Sequence, residues 1–356
     1  MTQARGTARV TLPGLDGLRA IAVGLVLVAH YAPRVSDDIL ATQVAIGLVG
    51  VDIFFVISGF LITHLLLREE EALGLISLPH FYARRALRIL PPLLILLSAL
   101  ALSSAVGVIH VSTSDLVAGL LFARNYFGTS PESQHLWSLG IEEQFYLVWP
   151  VIMSLLARRH RIPAAATLLL CAPIWRQFAY ALAGGAANVN SMRTDLHVQP
   201  LLCGCLLALA VHDTRLEPIV SRYRWRSPFA VLALLGAIAI CTLSPVVDWR
   251  IVRGLVPTLS AGAMALIVNC AIGSPSSAFT RFLDLAPLAW LGRLSYSLYL
   301  WQQPFAPALP GMTAAMATGL RSYPINILCA ALCAIGSYYV VERPLLALRS
   351  RLRPEH

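Results

Sequence analysis

The chain has 356 residues, of which 57% are hydrophobic and only 13% charged. Soluble domains are about a quarter charged and about 45–50% apolar, so a water-soluble globular domain is excluded and an integral membrane protein is expected. The formal net charge of +9 does not point to nucleic acid, because the arginines fall at the ends of apolar runs and in short loops, where positive charge orients membrane proteins. The seven cysteines show no CxxC pair or zinc spacing, and Cys203 and Cys205 read as small hydrophobic residues. No metal site is expected.

Apolar runs of spanning length fall at 13–33, 44–67, 89–109, 138–157, 163–183, 197–213, 227–245, 251–272, 286–307 and 322–342. The first contains Arg19 and continues at spanning length, so a cleavable signal peptide is not expected. The run at 114–124 is short and carries Arg124, which predicts an external interfacial or re-entrant helix. Ten spans place both termini on one side. Arg5 and Arg9, Arg84–Arg85–Arg88, Arg158–Arg159–Arg161, Arg222–Arg224–Arg226 and Arg349–Arg351–Arg353 then share a face, opposite the scattered Arg34, Arg193, Arg250 and Arg321. By the positive-inside rule both termini are cytoplasmic. With no long polar linker, repeat or low-complexity tail, residues 1–356 read as one all-α polytopic bundle with short tails at about 1–12 and 345–356.

The first run, LDGLRAIAVGLVLVAHY, holds the two most expensive residues, Arg19 and His30. Ionisable groups inside a lipid-crossing helix call for a functional explanation. Eleven steps of about 100° bring both side chains to one helix face, roughly 16 Å apart along the axis. Arg19 then lies toward the cytoplasm and His30 toward the outside. Asp52, in GVDIFFVISGFLIT, and Glu142 and Glu143, in HLWSLGIEEQFYLVWP, enter their helices from the outside and reach a depth similar to that of His30. An imidazole with a carboxylate beside it is what a general base and its orienting partner require. Two successive acids cannot both face one site, and which of the three partners His30 stays open. Glu142, Tyr146 and Trp149 share one face by their i, i+4, i+7 spacing.

A second group lies toward the cytoplasm. Arg85 and Arg88, in FYARRALRILPPL, are three apart on a segment whose Pro91 and Pro92 bend the helix entry, and Arg293 starts the ninth run near the depth of Arg19. Convergent arginines suit a ligand rich in phosphates. The alternative for the Arg84–Arg88 run is a topology anchor. Ser58–Gly59 permits close helix approach, and nothing marks Ser58 as a nucleophile. Tyr296 and Tyr299, with Trp301, form either an aromatic belt or the lining of an acyl channel.

In these blocks the chain resembles the acyltransferase-3 family of bacterial membrane O-acyltransferases. The resemblance is carried by Arg19-x10-His30, Gly50–Thr63, RRALRILP from Arg84 to Pro91, Trp137–Pro150, GRLSYSLYLWQQP from Gly292 to Pro304, and VERP from Val341 to Pro344, in the family's order. It implies a stand-alone, multi-pass domain of the cytoplasmic (inner) membrane that moves an acyl group, usually acetyl, from cytoplasmic acyl-CoA to a hydroxyl of a carbohydrate or other acceptor. No permanently bound cofactor is implied; acyl-CoA is a co-substrate. It also implies that His30 is catalytic, that Arg19 is required with it, and that Arg85 and Arg88 matter to function. Two departures stand out. Trp301-Gln302 replaces the family's frequent Trp-His, so no titrating role is expected there. The Arg-x-Asp usually found before the sixth helix is read here as His197-Val198-Gln199-Pro200, which predicts a lost or replaced charge pair. The rival reading from another class is a proton-coupled transporter with His30 and the acids as its relay.

Overall fold

The computed structural model describes residues 12–32, 37–184, 190, 192–224, 227–243, 249–273, 275–307 and 319–348. Arg5, Arg9, Arg34, Arg226, Arg349, Arg351 and Arg353 lie outside these residues, as do both chain ends, and nothing is described of the Arg250 side chain. Among the described residues there are helices and no strands. In order these are α1 (Leu15–Tyr31), α2 (Asp37–Leu73), α3 (Leu78–Ala105), α4 (Thr113–Leu120), α5 (Leu136–Leu155), α6 (Arg158–Leu182), α7 (Thr194–His212), α8 (Glu217–Arg222), α9 (Ser227–Leu243), α10 (Trp249–Gly273), α11 (Ala278–Leu283), α12 (Ala286–Gln302), α13 (Ile325–Ser337) and α14 (Arg343–Leu348). Single 3-10 turns at Pro131–Ser133 and Gln303–Phe305 precede α5 and follow α12.

A helix coincides with each predicted apolar run, and six helical segments are long and apolar enough to cross a membrane. These are Thr42–Leu73, Leu78–Ala105, Arg158–Leu182, Thr194–His212, Val256–Gly273 and Ile325–Ala347. Apolar side chains cover outer faces among them: Leu102, Leu170, Ile174, Leu332 and Val340 are all more than half exposed. That is the pattern of a surface solvated by lipid rather than water. The run predicted from 89 is the second half of α3, which starts at Leu78 with Pro79 in its first turn and continues through Pro91 and Pro92. The short run at 114–124 forms only the two-turn α4, capped by Ser112, and Arg124 lies beyond its end.

Backbone proximity holds the centre together. A Cβ on Gly59 would lie 2.0 Å from the Leu201 carbonyl oxygen, and one on Gly204 would lie 2.1 Å from that of Val56. α2 and α7 therefore touch backbone to backbone. In lipid, where apolar side chains gain little by leaving the solvent, such small-residue contacts are a main source of helix association. α1 and α12 use the same device, with Gly292 against the backbone of Asp16. These contacts set which face of each helix turns inward.

At the end of the bundle where α2 finishes and α3 and α6 begin, ion pairs join the helices. Arg84 donates to Glu69 at 2.6 Å, and Arg161 grips both oxygens of Glu70 at 2.6 and 2.9 Å. Arg158 adds a third contact to Glu70. This gives Arg84 and the 158–161 cluster structural work, whereas Arg85 and Arg88 turn elsewhere.

Candidate functional site

A cavity of about 70 Å³ lies among α1, α2, α3, α5 and α12. Its polar lining comprises Arg19, Ser58, Arg85, Arg88, Ser138, Glu142, Tyr146, Ser295, Tyr296 and Tyr299. Arg19, Arg85 and Arg88, from two helices, thus meet around one void. Glu142 is the hub between them: its Oε1 accepts from the Ser58 hydroxyl and from the Tyr146 hydroxyl. The Arg85 guanidinium lies 4.1 Å from the centre of the Tyr146 ring, a cation–π distance. The i, i+4 spacing of Glu142 and Tyr146 makes their bond possible on one helix face. Trp149, one further turn along, donates instead to Thr63 Oγ1 at 2.8 Å.

α12 closes the opposite wall. Tyr296 donates to the Ile89 carbonyl at 2.9 Å, which ties α12 to α3. The Tyr299 hydroxyl donates to the His135 carbonyl at 2.7 Å and lies 2.5 Å from Ser138 Oγ. Both tyrosines line the cavity. Trp301 packs into the apolar clusters around Leu300 and Leu298 and does not line it.

Several predicted residues stand away from this void. Asp52 does not line it; it interacts electrostatically with Arg176 of α6. Its helix phase explains this: Asp52 is about 100° from Val51, on the side where Gly59 meets α7, while Val51, Phe55 and Ser58 face the cavity. Arg293 is exposed, because its neighbour Gly292 takes the inward position against α1. The expected convergence of Arg293 with Arg19 is therefore not found. Glu143 lies beside the cavity lining, with its Oε1 buried and lacking a hydrogen-bond partner. Glu142 is the acid that faces the void.

His30 stands at the far end of α1 from Arg19 and is not in the cavity lining. Its Nδ1 lies 2.8 Å from the Val26 carbonyl. A carbonyl accepts only from a proton-bearing nitrogen, so Nε2 is the basic atom of the neutral ring. The next residue, Tyr31, donates to the Gln302 carbonyl at 2.6 Å. His135 reaches the same turn of α12, with Nε2 3.0 Å from the Leu300 carbonyl, and it lies within electrostatic range of His30. His135 was not singled out from the sequence, although it lies seven residues before Glu142 and so on the same helical face as that acid.

One expectation is corrected outright. The charge pair taken as lost at His197–Pro200 is present just upstream, where Arg193 donates to both oxygens of Asp195 at 3.0 and 2.7 Å. Trp175 also donates to Asp195 at 2.6 Å. The Arg-x-Asp spacing is Arg193-Thr194-Asp195, at the start of α7, and the sequence reading sought it one turn too late. Cys203 and Cys205 are buried and form no disulfide, and the Cys205 thiol donates to the Gly59 carbonyl at 3.4 Å.

An all-helical bundle with ionisable residues gathered inside it defines a membrane protein with a polar interior site. Residues 12–341 match the acyltransferase domain family, acyltransferase-3, and the chain belongs to it. It is 31% identical over 355 residues to the O-acetyltransferase OatA of Staphylococcus aureus, covering 94% of this chain and 57% of that protein. It is 29% identical over 323 residues to the peptidoglycan O-acetyltransferase OatA of Listeria monocytogenes, covering 83% of this chain and 50% of that one. Identity to the putative peptidoglycan O-acetyltransferase YrhL of Bacillus subtilis is 30% over 367 residues, covering 94% and 55%. The chain thus spans about half the length of these relatives. No solved structure matches it.

Proposed function

We propose that the chain is a membrane O-acetyltransferase that moves an acetyl group from acetyl-CoA to a hydroxyl of a carbohydrate, with peptidoglycan glycan the first acceptor to test. The single observation that carries this is the cavity where Arg19, Arg85 and Arg88 face the Glu142 hub. Guanidinium groups bind phosphate through paired, directional hydrogen bonds, and a coenzyme A ester brings three phosphates. Family membership and the names of the relatives point to the same chemistry.

In this reading the arginines hold the donor and the thioester extends along α1 toward His30. His30 Nε2 takes the proton of the acceptor hydroxyl as its oxygen attacks the thioester carbon. The C–S bond then breaks, and the imidazolium returns a proton to the departing CoA thiolate. Proton, acyl group and thiol all balance without another reactant. In a variant route, His30 Nε2 itself carries the acetyl group before passing it on.

The test uses the purified chain in nanodiscs with radiolabelled acetyl-CoA and soluble peptidoglycan strands. Label should enter the glycan with wild type and not with His30→Ala. Equal transfer by folded His30→Ala overturns the mechanism. Absence of any acetylated product, with proton-dependent flux across liposomes, favours a transporter instead. Label retained on protein without acceptor selects the acyl-enzyme route.

A further inference from the structure

At the His30 end of α1, three segments interlock one layer below the surface. They are the 3-10 turn with the start of α5 (Pro131–His135), the last turn of α12 with its 3-10 extension (Leu300–Phe305), and Arg321. Gln303 Nε2 donates to the Pro131 carbonyl at 3.0 Å. Arg321 Nε donates to the Pro304 carbonyl at 3.0 Å, and its Nη2 lies 3.5 Å from Glu132 Oε1. Tyr31 joins α1 to the same turn through the Gln302 carbonyl.

Within this knot, three buried acceptor atoms have no hydrogen-bond partner: Glu132 Oε2, His135 Nδ1 and Gln302 Oε1. Their residues are 3%, 3% and 0% exposed. All three are acceptors. His135 Nε2 must carry the proton it gives to Leu300 O, so Nδ1 of the neutral ring holds a lone pair. Gln303 spends its own amide nitrogen on Pro131, so its Oε1 faces Gln302 Nε2 at 3.4 Å, which orients the Gln302 amide with its oxygen left over. The indole N–H of Trp301, buried without an acceptor, is the lone donor among these unmatched atoms.

A buried acceptor left unmatched loses its bond to water with nothing in return, so three in one place amount to a deficit of donors. A cation would meet Arg321 there, and an anion would face Glu132. A neutral group rich in O–H donors fits both constraints. We propose that Glu132, His135 and Gln302 form the hydroxyl-binding subsite of the acceptor, and that the group it takes is a polyhydroxylated sugar ring presented beside His30. This rests on the carbohydrate-directed reading above and deepens it. It also gives Gln302 a use that needs no titrating side chain: a neutral acceptor of a sugar hydroxyl.

The test is a set of steady-state constants for the nanodisc-embedded chain with acetyl-CoA and soluble peptidoglycan strands. Gln302→Leu removes one acceptor and the 3.4 Å bond to Gln303 Oε1, and keeps the Gln303–Pro131 and Arg321–Pro304 bonds. It should raise the KM for glycan about tenfold or more, the factor that about 1.4 kcal/mol represents, with kcat and the KM for acetyl-CoA within about twofold. His135→Phe should raise it further, though losing the bond to Leu300 O puts its folding at risk, so Gln302→Leu decides the matter. Glycan strands should also raise the unfolding temperature of wild type and not that of Gln302→Leu. An unchanged glycan KM in folded Gln302→Leu overturns the subsite. So does a parallel change in both KM values with equal glycan stabilisation, which marks a purely structural polar knot. If wild type transfers no acetyl group, the enzymatic reading fails on its own, and the glycan-stabilisation arm still decides the subsite.

Discussion

The two ends of α1 sit in opposite chemical surroundings. Around Arg19 the cavity wall carries three guanidinium groups against the Glu142 carboxylate, and that carboxylate is already engaged by Ser58 and Tyr146. Around His30 and Tyr31 the balance reverses, with buried acceptors on Glu132, His135 and Gln302 outnumbering donors. One end suits a polyanion and the other a neutral polyol. A single helix about 16 Å from Arg19 to His30 thus spans two environments that could not be merged without each neutralising the other. In the function proposed above, separation along the helix would let a charged donor and an uncharged acceptor be recognised independently.

Breaking the contrast at its chemical centre should have the largest effect. His30→Ala should lower acetyl transfer by about 10²–10⁴-fold, the range for loss of a positioned acid–base group, while acetyl-CoA still binds; label transfer and donor binding check the two halves. At the cationic end, Arg85→Gln and Arg88→Gln should each weaken acetyl-CoA by about 1.5–3 kcal/mol, as for hydrogen bonds to charged groups. The rise should appear in the donor KM and leave the glycan KM alone. A glycan effect of equal size would erase the distinction between the ends.

Stability offers a third cut. Asp115 is fully buried and lies 3.2 Å from Arg124. Arg124 also donates to the carbonyls of Phe127, Gly128 and Ser130. Burial would raise the Asp115 carboxyl, but hydrogen bonds from Ser112 and Ser130 and the Arg124 charge outweigh it, holding the carboxyl below the usual carboxylate range. A lowered folded-state value means the contribution is present above the unfolded value of about 3.9 and is lost as pH falls through the folded one. Asp115→Asn should therefore cost about 3–5 kcal/mol at neutral pH, and the gap to wild type should close only below about pH 4. Thermal unfolding across pH reads this out. The smallest effect belongs to Arg293: exposed and outside the cavity, Arg293→Gln should leave the donor KM within about twofold, the scale of a surface substitution.

Much of the architecture was legible because its cause is local. A run of apolar residues about twenty long forms a helix in lipid wherever it occurs, and the helices found coincide with the predicted runs. The Glu142–Tyr146 pair was legible for the same reason, since i, i+4 spacing fixes its geometry. Asp52 and Arg293 were misplaced because depth in the membrane is set by residue number but direction around the helix is set by packing. The glycine contacts of α2 with α7 and of α1 with α12 rotate both residues away from the cavity. His135 and Glu132 were missed because their partners lie more than 160 residues away. Composition and apolar periodicity alone set the class of protein and the run of helices. Which ionisable side chains share a void belongs to the packed bundle, because helix rotation and long-range hydrogen bonding depend on which backbones can approach, not on any one segment's composition.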